Sequence, residues 1–266
     1  MDQEKPKDIE QYRRWLRGER GVHLATAFPA KYYDSAVHHA KREFGALPFW
    51  AALGPTLDEA NAEYYTQSGY PLLHDTQVPE IDTKSYEALI EKTYRKNVLD
   101  NPKWPDPPDD GWLVPPSWMS RVRDALRTRL VVTYLDGVEF LADRLQALTQ
   151  EHGLDCSVDY EAREEGYYAV HVYVTPKLEI PRLDWDTERI SFPIEIQIHT
   201  LLQQTITRML HRYYEHKRLA TAVPRKAWQW DYTSDEFATA YVGHVLHYVE
   251  AAIVGIRKRQ KEETEP

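Results

Sequence analysis

Apolar and polar positions alternate most sharply at residues 192–200, FPIEIQIHT. Ile194, Ile196 and Ile198 fall on one face of a strand and Glu195, Gln197 and His199 on the other, the period of two expected when one face is buried. A solvated polar face is the plain expectation for such a strand, yet a carboxylate, an amide and an imidazole in a row also make a platform for a site. The stretch EEGYYAVHVYVTP repeats the pattern, with Val170, Val172 and Val174 on one face and Tyr167, Ala169, His171 and Tyr173 on the other. Gly166 ahead of it permits a tight turn or the close approach of a ligand to the backbone. Leu130, Val131 and Val132 mark a further strand on which Arg127 and Arg129 share a face, and residues 155–160 another.

Helical spacing predicts amphipathic helices over 7–18, 30–45 and 56–66, the second with Tyr32, Ala36, His39 and Ala40 in phase. The adjacent His38 and His39 project in different directions and make a poor metal pair. Asp82 is expected to cap a helix running to about Val98, packed through Tyr86, Leu89, Ile90 and Thr93. Lys84, Ala88, Lys92 and Arg95 then share a second broad face. A phosphate-rich ligand needs such a stripe, and Glu87 and Glu91 among the cations equally suit a solvated surface. Six prolines in residues 101–116 block helix and central strand alike, so this stretch is a long loop that Trp104 and Trp112 either anchor or present to a partner. Helices are expected over 117–126, 137–151, 201–219 and 235–259, the last capped by Thr233 or Ser234, with residues 258–266 fraying. His244 and His247 lie one turn apart on that last helix, but Val245, Leu246, Val249 and Ile253 favour packing over metal binding. Strand, helix, strand order predicts an α/β (α+β) fold, a mixed sheet with helices against it. The expected organisation is an N-terminal helical region over 1–80, a core over 81–220 with a Pro-rich insertion at 100–116, and a C-terminal helix and charged tail over 221–266.

Composition narrows the classes. A net charge of -9 argues against coating nucleic acid or an anionic membrane through the overall field, leaving local basic patches as the alternative. The single cysteine, Cys156, excludes an internal disulfide framework and a cysteine-rich zinc site, which points to a reducing compartment. With no apolar run near 18 residues and a charged N-terminus, the expectation is a cytoplasmic protein with no membrane partner.

Four stretches, taken in order, resemble the RelA/SpoT family of nucleotide pyrophosphokinases over residues 81–217. The family's basic helix, R-x-K-x-x-x-S-x-x-x-K, is similar to DTKSYEALIEK, which keeps Lys84 and Lys92 but has Asp82 and Ala88 for the arginine and serine. D-I-A-G-I-R resembles DALRTR, keeping Asp124 and Arg129, with Arg127 for the glycine. G-Y-R-S-I-H resembles GYYAVH, keeping Gly166, Tyr167 and His171, with Tyr168 for the arginine. E-V-Q-I-R-T resembles EIQIHT, keeping Glu195, Gln197 and Thr200, with His199 for the arginine.

The resemblance implies a nucleotidyltransferase-like core that moves pyrophosphate from ATP to a ribose 3′-hydroxyl with Mg2+. Asp124 and Glu195 are then the catalytic carboxylates and metal ligands, Glu195 serving as base or ligand. Lys84, Lys92, Arg95 and Arg129 bind ATP, Arg129 also stacking on adenine. Tyr167 stacks on the acceptor base, and His171, Gln197 and Thr200 complete the acceptor side. GDP or GTP is the default acceptor, giving a (p)ppGpp-type alarmone. Loss of the family arginines at 82, 168 and 199 keeps two alternatives open. One is a growth-arresting toxin acting on the tRNA 3′ CCA end or an adenosine nucleotide, with a neutralising antitoxin. The other is a catalytically degenerate nucleotide-sensing or interaction module. A homo-oligomer is compatible with each.

Overall fold

The β-strands form two sheets. Five strands lie in the order β1-β2-β7-β4-β3, where β1 is Asp82–Thr83, β2 Leu126–Val132, β3 Asp155–Ala162, β4 Tyr168–Thr175 and β7 Ile194–Thr200. A hairpin of β5 (Lys177–Pro181) and β6 (Thr187–Ser191) makes the second sheet. The computed structural model describes residues 4–22, 27–115, 117–182, 186–208 and 228–264. Its helices are α1 (Ile9–Arg20), α2 (Ala27–Gly45), α3 (Pro48–Ser68), α4 (Tyr86–Tyr94), α5 (Trp118–Arg121), α6 (Asp136–Glu151), α7 (residues 201–208) and α8 (Asp235–Thr264). The architecture is therefore the expected mixed sheet with flanking helices. The remainder of the helix expected over 201–219 lies outside the described residues.

The chain builds two compact units from non-contiguous segments. The first comprises Met1–Leu47, Ile81–Arg127 and Thr175–Glu195, and the second Pro48–Glu80, Thr128–Val174 and Ile196–Pro266. In the first unit, α1 starts where Asp8 accepts the amide of Gln11, and it ends at Gly21 in the left-handed conformation. Helix α2 buries Tyr33, Ala36, Val37, Ala40 and Phe44, one position out of phase with the expected Tyr32 and His39. Tyr32 instead donates to the carbonyl of Pro181 at the end of β5.

The Pro-rich loop is tied to this unit. Buried Asn97 donates to the carbonyl of Leu113 and accepts its amide. Trp104 and Trp112 lie 5.1 and 4.9 Å from Trp15, and the Arg20 guanidinium covers Trp112 at 4.6 Å.

The second unit packs α3 and α6 together, through Tyr64 against Phe140 and an Arg144–Glu63 ion pair. Helix α3 runs from Pro48 through Gly54 and Pro55, well beyond the expected 56–66. Proline is tolerated in a first helical turn, and Gly54 gives room to Val78, whose Cγ2 is 3.1 Å from where a Cβ would stand. Ser234 caps α8 by accepting from Phe237. The stretch expected to fray, 258–264, is helical, and Lys261 donates to the carbonyl of Gln67. Among the described residues, no helix is long and apolar enough to cross a membrane.

Candidate functional site

The basic stretch around Lys84 folds differently from the expected helix. Asp82 and Thr83 pair antiparallel with Arg127 and Leu126 of β2, and Ser85, not Asp82, caps α4 by accepting from Ala88. Serine caps as well as aspartate does, and pairing to β2 satisfies the backbone before it. Lys84 therefore precedes the helix, its amide donating to the carbonyl of Ala125. The expected packed side, Tyr86, Leu89, Ile90 and Thr93, is buried. Arg95 opens a π-helical turn, Arg95–Leu99, that continues α4.

What the helical stripe does not do, the tertiary fold does. Lys84 Nζ lies 2.9 Å from Asp124 Oδ2 and Lys92 Nζ donates to Asp124 Oδ1 at 2.7 Å, all three side chains at most about a fifth exposed. Burial opposes ionisation of Asp124, but the Lys92 and Lys84 ammoniums outweigh it and hold the carboxyl at about 2. Lys84 also shifts down, because burial and the repulsion of Lys92 and Arg127 exceed what one carboxylate returns. The two shifts of this pair point opposite ways in their effect on charge. The short contacts from two donors to one acceptor group decide for the ionised pair. The cluster carries one carboxylate and two ammoniums, a surplus of positive charge. Tyr33 of α2 belongs to this neighbourhood: burial pushes its phenol up, and the Asp124 charge adds to that.

Glu195 sits on β7, whose seven residues are all buried. The polar face of this strand is covered, so the solvated-face expectation fails at Glu195, Gln197 and His199 alike.

Tyr167, His171 and Gln197, expected on the acceptor side, cluster in the second unit together with Arg129. Arg129 donates through Nε and Nη2 to Gln197 Oε1 at 3.3 and 3.0 Å, fixing both the guanidinium plane and the amide. The Tyr167 hydroxyl lies 3.2 Å from His171 Nε2 and 3.5 Å from His199 Nε2, and the Arg163 guanidinium stands over its ring at 5.0 Å. Burial, then Arg129 and then His171, hold His199 down at about 3, so this imidazole is neutral at physiological pH. His171 also reaches Tyr173.

Thr200 is not brought to this cluster. It has the parity of the isoleucines and accepts the amide of Gln203, capping α7. It also lines a cavity of about 310 Å3 on the reverse face of the strands, with Val170, Ile198, Tyr168 and His247. Neither Tyr167 nor His171 lines that cavity.

Sequence reasoning missed α8 as a neighbour of the Gly166 turn. The valines and isoleucine expected to pack, Val245, Val249 and Ile253, are exposed, and the opposite face carrying Gly243, His244 and His247 is the packed one. His244 bonds Tyr168 and the carbonyl of Glu164, both at 2.8 Å. His247 stacks on Tyr168 at 3.7 Å. His244 is thus held by a tyrosine hydroxyl and a backbone carbonyl, and His247 by its ring stack.

Mg2+ takes hard oxygen ligands and binds through one or two carboxylates together with substrate phosphates. Asp124 is ionised at neutral pH and Glu195 is a second carboxylate, so the donor chemistry fits. Both Asp124 oxygens accept from lysines here, so a cation held there would need phosphates to serve as the lysines' alternative partners.

No protein-family model matches the chain, and comparison with characterised proteins gives no sequence match. Solved structures do match. Small alarmone synthetase 2 from Bacillus subtilis superposes with a TM-score of 0.51 at 16% identity, over 86% of this chain and 99% of that one. Small alarmone synthetase 1 from Bacillus subtilis superposes with a TM-score of 0.50 at 15% identity, over 84% and 98%. The chain thus has the fold of the small alarmone synthetases along nearly their whole length.

Proposed function

We propose that the chain is an ATP-dependent pyrophosphokinase that transfers pyrophosphate to the ribose 3′-hydroxyl of a nucleotide, with GDP or GTP as the default acceptor. The observation that carries it is the Lys84–Asp124–Lys92 cluster: an ionised carboxylate between two ammoniums, with net positive charge, on a fold shared with alarmone synthetases. In the reaction the acceptor 3′-oxygen bonds to the β-phosphorus of ATP, the bond from that phosphorus to the α,β-bridging oxygen breaks, AMP leaves, and the hydroxyl proton goes to a base. Glu195 is the proposed base. Lys84, Lys92 and Arg95 offset the triphosphate charge. Arg129, its plane fixed by Gln197, is the adenine platform, and Tyr167 stacks on the acceptor base. Mg2+ held by Asp124 and Glu195 would supply further neutralisation of the phosphates.

A second reading concerns the acceptor. Where the family resemblance reserves an arginine, His199 is neutral. That suits an acceptor with less phosphate at this place, such as the tRNA 3′ end, whose terminal adenosine carries a single phosphodiester, as the alternative to GDP or GTP. Transfer of label from γ-32P-ATP to GDP, GTP, adenosine nucleotides and bulk tRNA in parallel, with wild type and Glu195→Ala, tests both readings. Label on one acceptor that vanishes in the variant supports transfer and names the acceptor. ATP binding with no labelled acceptor would support a nucleotide-sensing module instead.

A further inference from the structure

Helix α8 touches the turn between β3 and β4 backbone to backbone. Gly166 stands in the left-handed conformation at φ +78, and a Cβ there would lie 2.3 Å from the carbonyl oxygen of Ala240 on α8. A Cβ on Gly243 would lie 2.2 Å from the carbonyl oxygen of Gly166. Two glycines face each other because nothing larger than hydrogen fits on either side. The turn itself is closed by Gly166 donating to Arg163 and Arg163 donating to Tyr167.

His244 fastens this contact chemically. The carbonyl of Glu164 only accepts, so His244 Nε2 carries a proton and donates to it at 2.8 Å. The other nitrogen, Nδ1, is 2.8 Å from the Tyr168 hydroxyl, which donates to it in the neutral tautomer. Tyr168 is further held by the parallel stack on His247, 3.7 Å apart with planes 2° from parallel. The two residues clamped by α8, Glu164 and Tyr168, flank Tyr167 in the sequence. The far end of α8 is fixed independently: the Arg257 guanidinium lies between the Tyr70 and Tyr134 rings at 4.0 and 4.1 Å and 3.4 Å from Asp136. The helix is a strap anchored at the turn it holds and again roughly two to four helical turns further on.

We infer that His244 is a positioning residue for the acceptor site: with Gly243 it holds the β3–β4 turn so that Tyr167 presents its ring at a fixed place, setting acceptor affinity without touching ATP. The inference rests on the proposed role of Tyr167 in acceptor stacking. Its structural part stands on the clamp geometry alone.

Two measurements on the full chain separate these parts. Hydrogen–deuterium exchange of the peptide covering residues 163–168 reports the clamp with no substrate present. His244→Ala and Gly243→Ala are expected to speed exchange in this peptide at least tenfold while leaving α3 and α6 peptides unchanged. His244→Gln, whose amide keeps one donor and one acceptor, is expected to restore protection. Unchanged exchange in both alanine variants overturns the clamp. Steady-state kinetics on the acceptor found for the wild type report the positioning. A misplaced stacking ring is expected to raise acceptor KM by about 5- to 150-fold, with ATP KM unchanged and recovery in His244→Gln. Faster exchange with an unchanged acceptor KM, or equal rises in both KM values, overturns the positioning role. A wild type that transfers to no acceptor refutes the proposed function, and the exchange measurement still decides the clamp.

Discussion

Replacing Asp124 by asparagine tests the lysine–aspartate cluster through stability alone. The native carboxyl titrates at about 2 against an ordinary value of 3.8, a difference worth about 2 kcal/mol in favour of the folded state at pH 7. The folded value is the depressed one, so this stability is complete above pH 4 and is lost as pH falls through 2. Linkage gives about 1 kcal/mol remaining at pH 3 and under about 0.5 at pH 2. Asp124→Asn removes the pH-dependent part and leaves two ammoniums facing a neutral amide, which adds to the loss at neutral pH. The downward shift of Lys84 acts in the alkaline range and leaves the acid window untouched. Urea unfolding of wild type and variant at pH 7, 5, 4 and 3 gives the difference in stability directly. It should be about 2 kcal/mol or more at pH 7 and shrink by about 1 kcal/mol by pH 3. A difference that stays flat from pH 7 to pH 3 would refute the ionised cluster.

Other substitutions probe other parts. Burial holds the Glu250 carboxyl up at about 6, so ionising it costs stability as pH rises from 4.5 through 6. Glu250→Gln should therefore stabilise by about 2 kcal/mol at pH 8 and be neutral at pH 4 by denaturant melts, and destabilisation at pH 8 would contradict this. Tyr167→Phe keeps the ring and loses the hydroxyl that meets His171 and His199, so acceptor KM should change less than about threefold. Tyr167→Ala should cost about 1–3 kcal/mol of acceptor binding, and equal effects in the two variants would exclude stacking. Arg257→Ala removes a cation held between two tyrosine rings and an aspartate. It should lower stability by about 1–2 kcal/mol in urea unfolding, whereas no change would mean that α8 is not anchored there.

Strand β7 was legible in the sequence because its alternation is local. The burial of both its faces was not, since Gln197 and His199 meet residues far along the chain, Arg129 and Tyr167. Lys84 and Lys92 were found by spacing on an assumed helix, and the assumption failed: Ser85 competes with Asp82 for the cap, and β1 pairs with β2. They meet at Asp124 all the same, because strand pairing brings Lys84 to the carbonyl of Ala125. Tyr33 was missed through a one-residue error in the phase of α2, where Tyr32 offers an equally large side chain. The β5–β6 hairpin carries a weak signal in the sequence: Leu178 and Ile180 alternate with Lys177 and Glu179 and are buried, but Pro176 and Pro181 break the run. On α8 the apolar stripe pointed to the wrong face. Glycine and histidine form the packed side, and only the position of the β3–β4 turn reveals why a residue without a side chain is needed at 243.

The central claim is that ATP is split between its α- and β-phosphates and that the terminal pair moves as a unit. Identifying the nucleotide left from ATP, by chromatography of a reaction with Mg2+ and each acceptor, tests this most directly. The account predicts AMP, formed one for one with an acceptor heavier by a pyrophosphate, and none with Glu195→Ala. ADP with a singly phosphorylated acceptor, or AMP with free pyrophosphate and an unmodified acceptor, would contradict it.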